Sequence, residues 1–258
     1  MRLFRQIVIL SIVLPIFGCS ADKVPYLRLA AAASLEPLLE KELIPLFQEK
    51  HHGVEIMAVY DGSGRLRQQI EAGLEADIFI AASEKEPRQL AEAGIIDDGA
   101  LYELFHNSLV IITQSDRAVP DGGPEVWINN EKFIALGHPD YVPAGYYARM
   151  AFERLNIWDK AIGKASLAGN VSEVLQWVAE ASAGIGVVYA TDAARNRRVK
   201  IIYEFPSELF TEPVAYWGVV LNKKPAAEAF MQFIKSAPAA EAAGRYGFKK
   251  PDTAHRAD

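Results

Sequence analysis

Two hydrophobic periods take turns along this chain. Residues 27–33 (LRLAAAA) form a short, nearly continuous apolar run, the pattern of a buried strand. At Ser34 the pattern changes, and Leu35, Leu38 and Leu39 follow at helical spacing, with Ser34 placed as an N-cap and Pro37 in the first turn. The apolar face continues through Leu43, Leu46 and Phe47 towards residue 50, and Pro45 inside it predicts a kink or split. Residues 54–60 predict a second strand. The string DGSGRLRQQIEAG (61–73) predicts a helix capped by Ser63, carrying Leu66 and Ile70 and stopped by Gly73. DIFIAA (77–82) predicts a third strand, and Ser83 with Glu86 a capping box for a helix ending near Gly94.

The text changes after Asn107. SLVIIT (108–113) predicts a long buried strand, taken as the first crossing between two lobes, and 114–124 is polar and turn-rich. A strand at 134–137, a loop HPDYVPAG (138–145) and a helix pattern over 146–155 follow. Asn170 and Glu173 form a cap pair for a helix through Val174, Leu175, Trp177 and Val178. GIGVVYATDA (184–193) predicts a strand turning into a helix near Thr191 or Asp192, and 199–205 a further strand. VAYWGVVL (214–221) crosses back, and 226–246 is helical. Strand and helix alternate throughout, which predicts an α/β protein whose sheets are mixed but mainly parallel and flanked by helices. The boundaries drawn this way are 25–106 plus 215–250 for lobe I, 107–214 for lobe II and 251–258 for a polar tail.

Length agrees with two units: 258 residues, half of them apolar, suit two compact bodies of about 100–150 residues each. The formal net charge is −6, and removal of residues 1–18, which carry Arg2, Arg5 and no acid, leaves −8. No basic stripe exists for phosphate backbones, so nucleic acid is not an expected partner. Residues 1–5 are a short basic region and 6–17 an apolar stretch too short to span a bilayer, the pattern of an export signal. Ile16-Phe17-Gly18-Cys19 resembles a bacterial lipoprotein cleavage site, with Cys19 as the lipid acceptor and first mature residue. The alternative is a plain secretory signal cut near residue 21. Either way the mature chain works outside the cytoplasm, in the periplasm or at the cell surface, and Cys19, the single cysteine, forms no internal disulfide.

Helices that begin straight after strands present free N–H groups and the positive end of a dipole, a ready anion site. Ser34 and Ser63 sit at such junctions, Ala144 and Val171 at helix starts, and Tyr189 at a strand end. In an open α/β sheet, ligands bind at that edge. Catalysis has little support. Neither serine lies in G-x-S-x-G, and the histidines (His51, His52, His106, His138, His255) show no metal spacing. GSGRLR is not a dinucleotide or phosphate loop. No catalytic residue, cofactor or direct metal ligand is expected.

The segments AAASL, DGSGRLRQQIE, ADIFIAAS, NSLVI, GHPDYVPAGYYA, the Asn170-Val171 helix start, GVVYATDA and RYGF resemble, in order and spacing, the periplasmic molybdate-binding proteins of bacterial ABC importers, from about residue 26 to 248. VPAG together with VVY-x-x-DA in register is the most specific part. The resemblance implies a two-lobed periplasmic-binding-protein fold (type II-like). It also implies an oxyanion, molybdate or tungstate, held by Ser34, Ser63, Ala144, Val171 and Tyr189, and delivery by a monomer to a membrane permease. Where that family often has a serine-rich string, this chain has Gly62-Ser63-Gly64.

Chemistry points the same way. A tetrahedral dianion only accepts hydrogen bonds, so its site should hold donors and no carboxylate. Selectivity against the smaller sulfate would rest on cavity size, and a donor-only site rejects the proton that phosphate carries. The competing readings are a binder of another oxyanion such as sulfate, an organic-acid binder, a secreted serine hydrolase using Ser34 or Ser63, and a receptor or adhesin-like lipoprotein.

Overall fold

The computed structural model describes residues 26–97 and 101–251. The export signal at 1–18, Cys19 and residues 252–258 of the polar tail lie outside the described residues.

Two five-stranded sheets carry the chain. The first has the order β2-β1-β3-β10-β4 and is built from β1 (Tyr26–Ala32), β2 (Glu55–Asp61), β3 (Ile78–Ala81), β4 (Tyr102–His106) and β10 (Ala215–Val220). The second has the order β7-β6-β8-β5-β9, from β5 (Leu109–Gln114), β6 (Ile134–Gly137), β7 (Ala165–Ala168), β8 (Ile185–Tyr189) and β9 (Val199–Glu204). The chain therefore passes between the sheets twice, after His106 and after Glu204. Lys249 pairs with His106 through two backbone hydrogen bonds, of 2.8 and 3.0 Å, and ties the C-terminal segment to the first crossing.

Both sheets are mixed. β1 runs parallel to β2 and β3, and β6 parallel to β7 and β8. β10 is antiparallel to β3 and β4, and β5 to β8 and β9, so antiparallel pairing has a larger share than strand–helix alternation predicts. These two strands are the ones entered directly from a crossing. Without a helical crossover of their own, they are not held to the parallel sense.

After β1 the chain makes a 3-10 turn (Ala33–Leu35), α1 (Glu36–Leu38), a widened π turn (Leu39–Leu43) and α2 (Ile44–Lys50). Pro45 lacks the N–H for an ordinary helical bond, and the π turn just before it absorbs the mismatch, so the helix widens instead of stopping. The remaining helices are α3 (Ser63–Glu71), α4 (Lys85–Glu92), α5 (Pro124–Asn130), α6 (Pro143–Arg154), α7 (Trp158–Ile162), α8 (Val171–Ala179), α9 (Ala190–Ala193), α10 (Pro225–Ile234) and α11 (Ala237–Arg245). Phe47 on α2 meets Phe230 on α10 edge-on at 5.0 Å, which packs the C-terminal helices onto the first sheet's flank.

One predicted cap is present and one is not. Asn170 Oδ1 accepts from Glu173 N–H at 3.0 Å, and Glu173 reaches back to the Gly169 N–H at 2.8 Å. The Ser83–Glu86 box does not form. α4 starts one residue later than that box requires, with Glu84 at its N-cap, and the Glu86 carboxylate instead accepts from Arg67 at 2.9 Å.

Candidate functional site

The C-terminal ends of β1, β2 and β3 face the starts of α6 and α8 and the end of β8 across a cavity between the two sheets. Ser34, Ser63, Ala144, Val171 and Tyr189 all line it. The space is tight, of the order of one water molecule. The alanine run that makes β1 a buried strand also keeps this wall thin, because Ala32 and Ala33 are the side chains at its cavity end.

Neither serine acts as the helix cap that its sequence position predicts. Ser34 lies inside the 3-10 turn, and its Oγ is 2.8 Å from the Tyr216 hydroxyl. Ser63 is the first residue of α3, Gly62 takes the cap position, and Ser63 Oγ accepts from the Ala82 N–H at 3.0 Å. Both serines thus bond to a partner from elsewhere in the chain. Asn107 Nδ2 also donates to the Tyr216 oxygen at 3.3 Å, and a phenol oxygen accepts more than one bond, so either hydroxyl can donate in the Ser34–Tyr216 pair. The Ser63 oxygen already accepts, which leaves its O–H as a donor for the cavity.

Tyr189 supplies the third hydroxyl. Burial pushes its pKa well above the usual phenol value, with Tyr216, Tyr147 and Asp192 adding to the effect, so it is protonated. Its contact to the Ala82 carbonyl is 3.5 Å, too long to hold the proton firmly. Ala144 and Val171 lie in the first turns of α6 and α8, where backbone N–H groups have no acceptor within the helix. Gly145 makes this possible for α6. A Cβ there would lie 2.1 Å from the Gly137 oxygen, so only glycine lets the helix start close over β6.

One expectation is overturned. Asp61, at the end of β2, also lines the cavity, so the wall is not free of carboxylates. Its Oδ1 accepts from the Gly62 N–H at 2.7 Å and faces Arg65 at 3.7 Å, so that oxygen is turned back onto its own loop. A second acid, Asp192, is buried behind Tyr189 without lining the cavity. Burial pushes its carboxyl up to about 7, against the pull of the Arg195 charge and the Tyr189 backbone.

Reading the sequence alone misses Tyr216, Asn107 and Asp61. Tyr216 sits in VAYWGVVL, where it reads as one more buried strand residue, and no local pattern announces a partner 182 positions away. Asp61 was in plain sight, as the residue before Gly62-Ser63-Gly64.

The comparisons with known proteins agree on one family. A family described as bacterial extracellular solute-binding protein matches residues 27–249. The molybdate-binding protein ModA of Escherichia coli is 33% identical over 226 residues, spanning 84% of this chain and 86% of the relative. A Bacillus subtilis protein, YvgL, named as an ABC transporter substrate-binding lipoprotein, is 32% identical over 248 residues, 93% of this chain and 95% of that protein. The structure of the Azotobacter vinelandii periplasmic molybdate-binding protein superposes with a TM-score of 0.74 at 22% identity, covering 88% of this chain and all of that one, a likeness of fold. This chain, with two mixed sheets facing each other across one cavity, belongs to the bacterial extracellular solute-binding protein family.

Proposed function

We propose that this protein captures molybdate, with tungstate as a second ligand, between its lobes and delivers it to the membrane permease of an ABC importer. The observation that carries this reading is the donor set. Three hydroxyls, of Ser34, Ser63 and Tyr189, and two helix N-termini surround one small cavity, with no lysine or arginine among the described residues of its wall. Each charge-assisted bond contributes about 1.5–3 kcal/mol net, enough in sum for tight binding after the lobes close. Prearranged N–H dipoles also avoid the dehydration that a buried counter-charge would require. The identity to the Escherichia coli molybdate-binding protein supports the same ligand.

Ser34 and Ser63 are ligands in this reading and not nucleophiles. Their partners are a phenol and a backbone N–H, and neither takes a proton. The chain works as a monomer without a resident cofactor. Cys19 carries a lipid, which the Bacillus subtilis relative's name supports, and mass measurement of the exported protein tests it.

Calorimetric titration of the ligand-stripped mature protein with molybdate, tungstate and sulfate tests the function. Tight binding of the first two and weak binding of sulfate is expected. Preference for sulfate would overturn the assignment, because the cavity would then favour the smaller ion.

A further inference from the structure

We propose that Arg65 is an interlobe latch that sets how fast the bound oxyanion leaves, without touching it. The inference rests on the proposed oxyanion function. It starts from a seam where the loop before α3 meets lobe II with almost no side chains between. A Cβ on Gly62 would lie 2.5 Å from the Gly169 oxygen, and one on Gly64 would lie 2.5 Å from Tyr141 Cα. The Gly64 N–H donates to the Tyr141 carbonyl across the seam at 2.8 Å.

Arg65 is a side chain that spans this seam; nearby, Lys85 also reaches the Asp140 carbonyl at 3.4 Å. Its guanidinium lies 5.2 Å from the centroid of the Tyr141 ring, whose plane is stacked on His138 at 4.1 Å and 12°. The same guanidinium lies flat against Gly169, where a Cβ would come within 2.2–2.5 Å of its Nη1, Cζ and Nη2 atoms. Gly169 immediately precedes Asn170 and Val171, so the clamp bears on the backbone that holds one of the anion's proposed N–H donors. Arg65 does not line the cavity. Within its own lobe Arg65 faces the Asp61 carboxylate at 3.7 Å, whereas its contacts to lobe II exist only while the lobes are together, so those contacts stabilise the closed form.

Release of isotopically labelled molybdate into excess unlabelled ion gives the dissociation rate, and stopped-flow mixing gives the association rate. Arg65→Ala should release the ion roughly ten-fold faster with association changed by less than about two-fold. Arg65→Lys, which keeps the charge but not the planar stack, should fall between. Gly169→Ala should match Arg65→Ala, and the double variant should be no worse than either single one. Thermal unfolding of the ligand-free variants should match the wild type. Small-angle scattering gives a readout that needs no ligand: ligand-free Arg65→Ala should show a larger radius of gyration than wild type. An unchanged release rate, or a loss confined to a salt-dependent association rate, would overturn the latch. Wild type that binds none of the oxyanions would reject the functional reading instead, and the latch would then be judged by scattering, where equal dimensions overturn it.

Discussion

The hydroxyl oxygens of Ser34 and Tyr216 lie 2.8 Å apart, although the residues stand 182 positions apart in the chain. The contact joins the end of the first strand to the strand that returns from lobe II. Asn107, at the other crossing, donates to Tyr216 at 3.3 Å and to Thr191 at 2.9 Å, so both crossings are wired to the wall of the cavity. Ser34→Ala removes a donor to the anion and should weaken molybdate binding by about 1–3 kcal/mol. Tyr216→Phe keeps the packing but removes the hydroxyl bonded to Ser34, so the Ser34 side chain loses its fixed orientation, and it should cost about 0.5–1.5 kcal/mol. Calorimetry measures both, and full wild-type affinity in Ser34→Ala would remove it from the ligand set.

Asp61 presents the opposite case, a negative charge in the wall of an anion site. Asn at this position keeps an oxygen for the Gly62 N–H and loses only the charge. Asp61→Asn should therefore raise affinity for a dianion by roughly two- to five-fold at low salt, an effect that shrinks as salt is added. A fall in affinity would mark Asp61 as an acceptor for a protonated guest.

Gly145 is fixed by space. An alanine there would drive its Cβ to 2.1 Å from the Gly137 oxygen, a backbone atom that cannot swing aside. Gly145→Ala should destabilise the fold by about 1–3 kcal/mol in urea unfolding and lower anion affinity, because the Ala144 end of α6 lifts off.

Asp192 gives stability a pH dependence. Burial raises its carboxyl to about 7, above the value of an exposed aspartate. Between about 4 and that value, the folded chain keeps a proton that the unfolded chain has released. This contribution is present at low pH and is lost as pH rises through the window. Asp192→Asn, with no proton to lose, should flatten this part of the profile by a few kcal/mol at most in urea midpoints compared at about pH 5 and pH 7.5.

Some of this protein is written locally. The apolar run into Ser34 and the Asn170–Glu173 cap are each set by neighbours within a few residues, and each appears where the pattern puts it, whereas VPAG, read as the end of a loop, already forms the first turn of α6. The short edge strand β7 and the helix α5 were not legible. Ser166 and Leu167 on β7 are exposed and leave no burial pattern, and α5 opens at Pro124, the last residue of the polar, turn-rich stretch 114–124. For the site, all five positions that the chain marks lie in the cavity wall, since strand ends and helix starts are local features. It gave the wrong partners for both serines. A cap is a contact of two or three residues' reach, whereas the Tyr216 hydroxyl and the Ala82 N–H arrive from distant strands. Order along the chain thus determined which groups stand at the sheet edges. Only the meeting of two separately wound sheets decided which lone pairs are occupied, and so which protons face the guest.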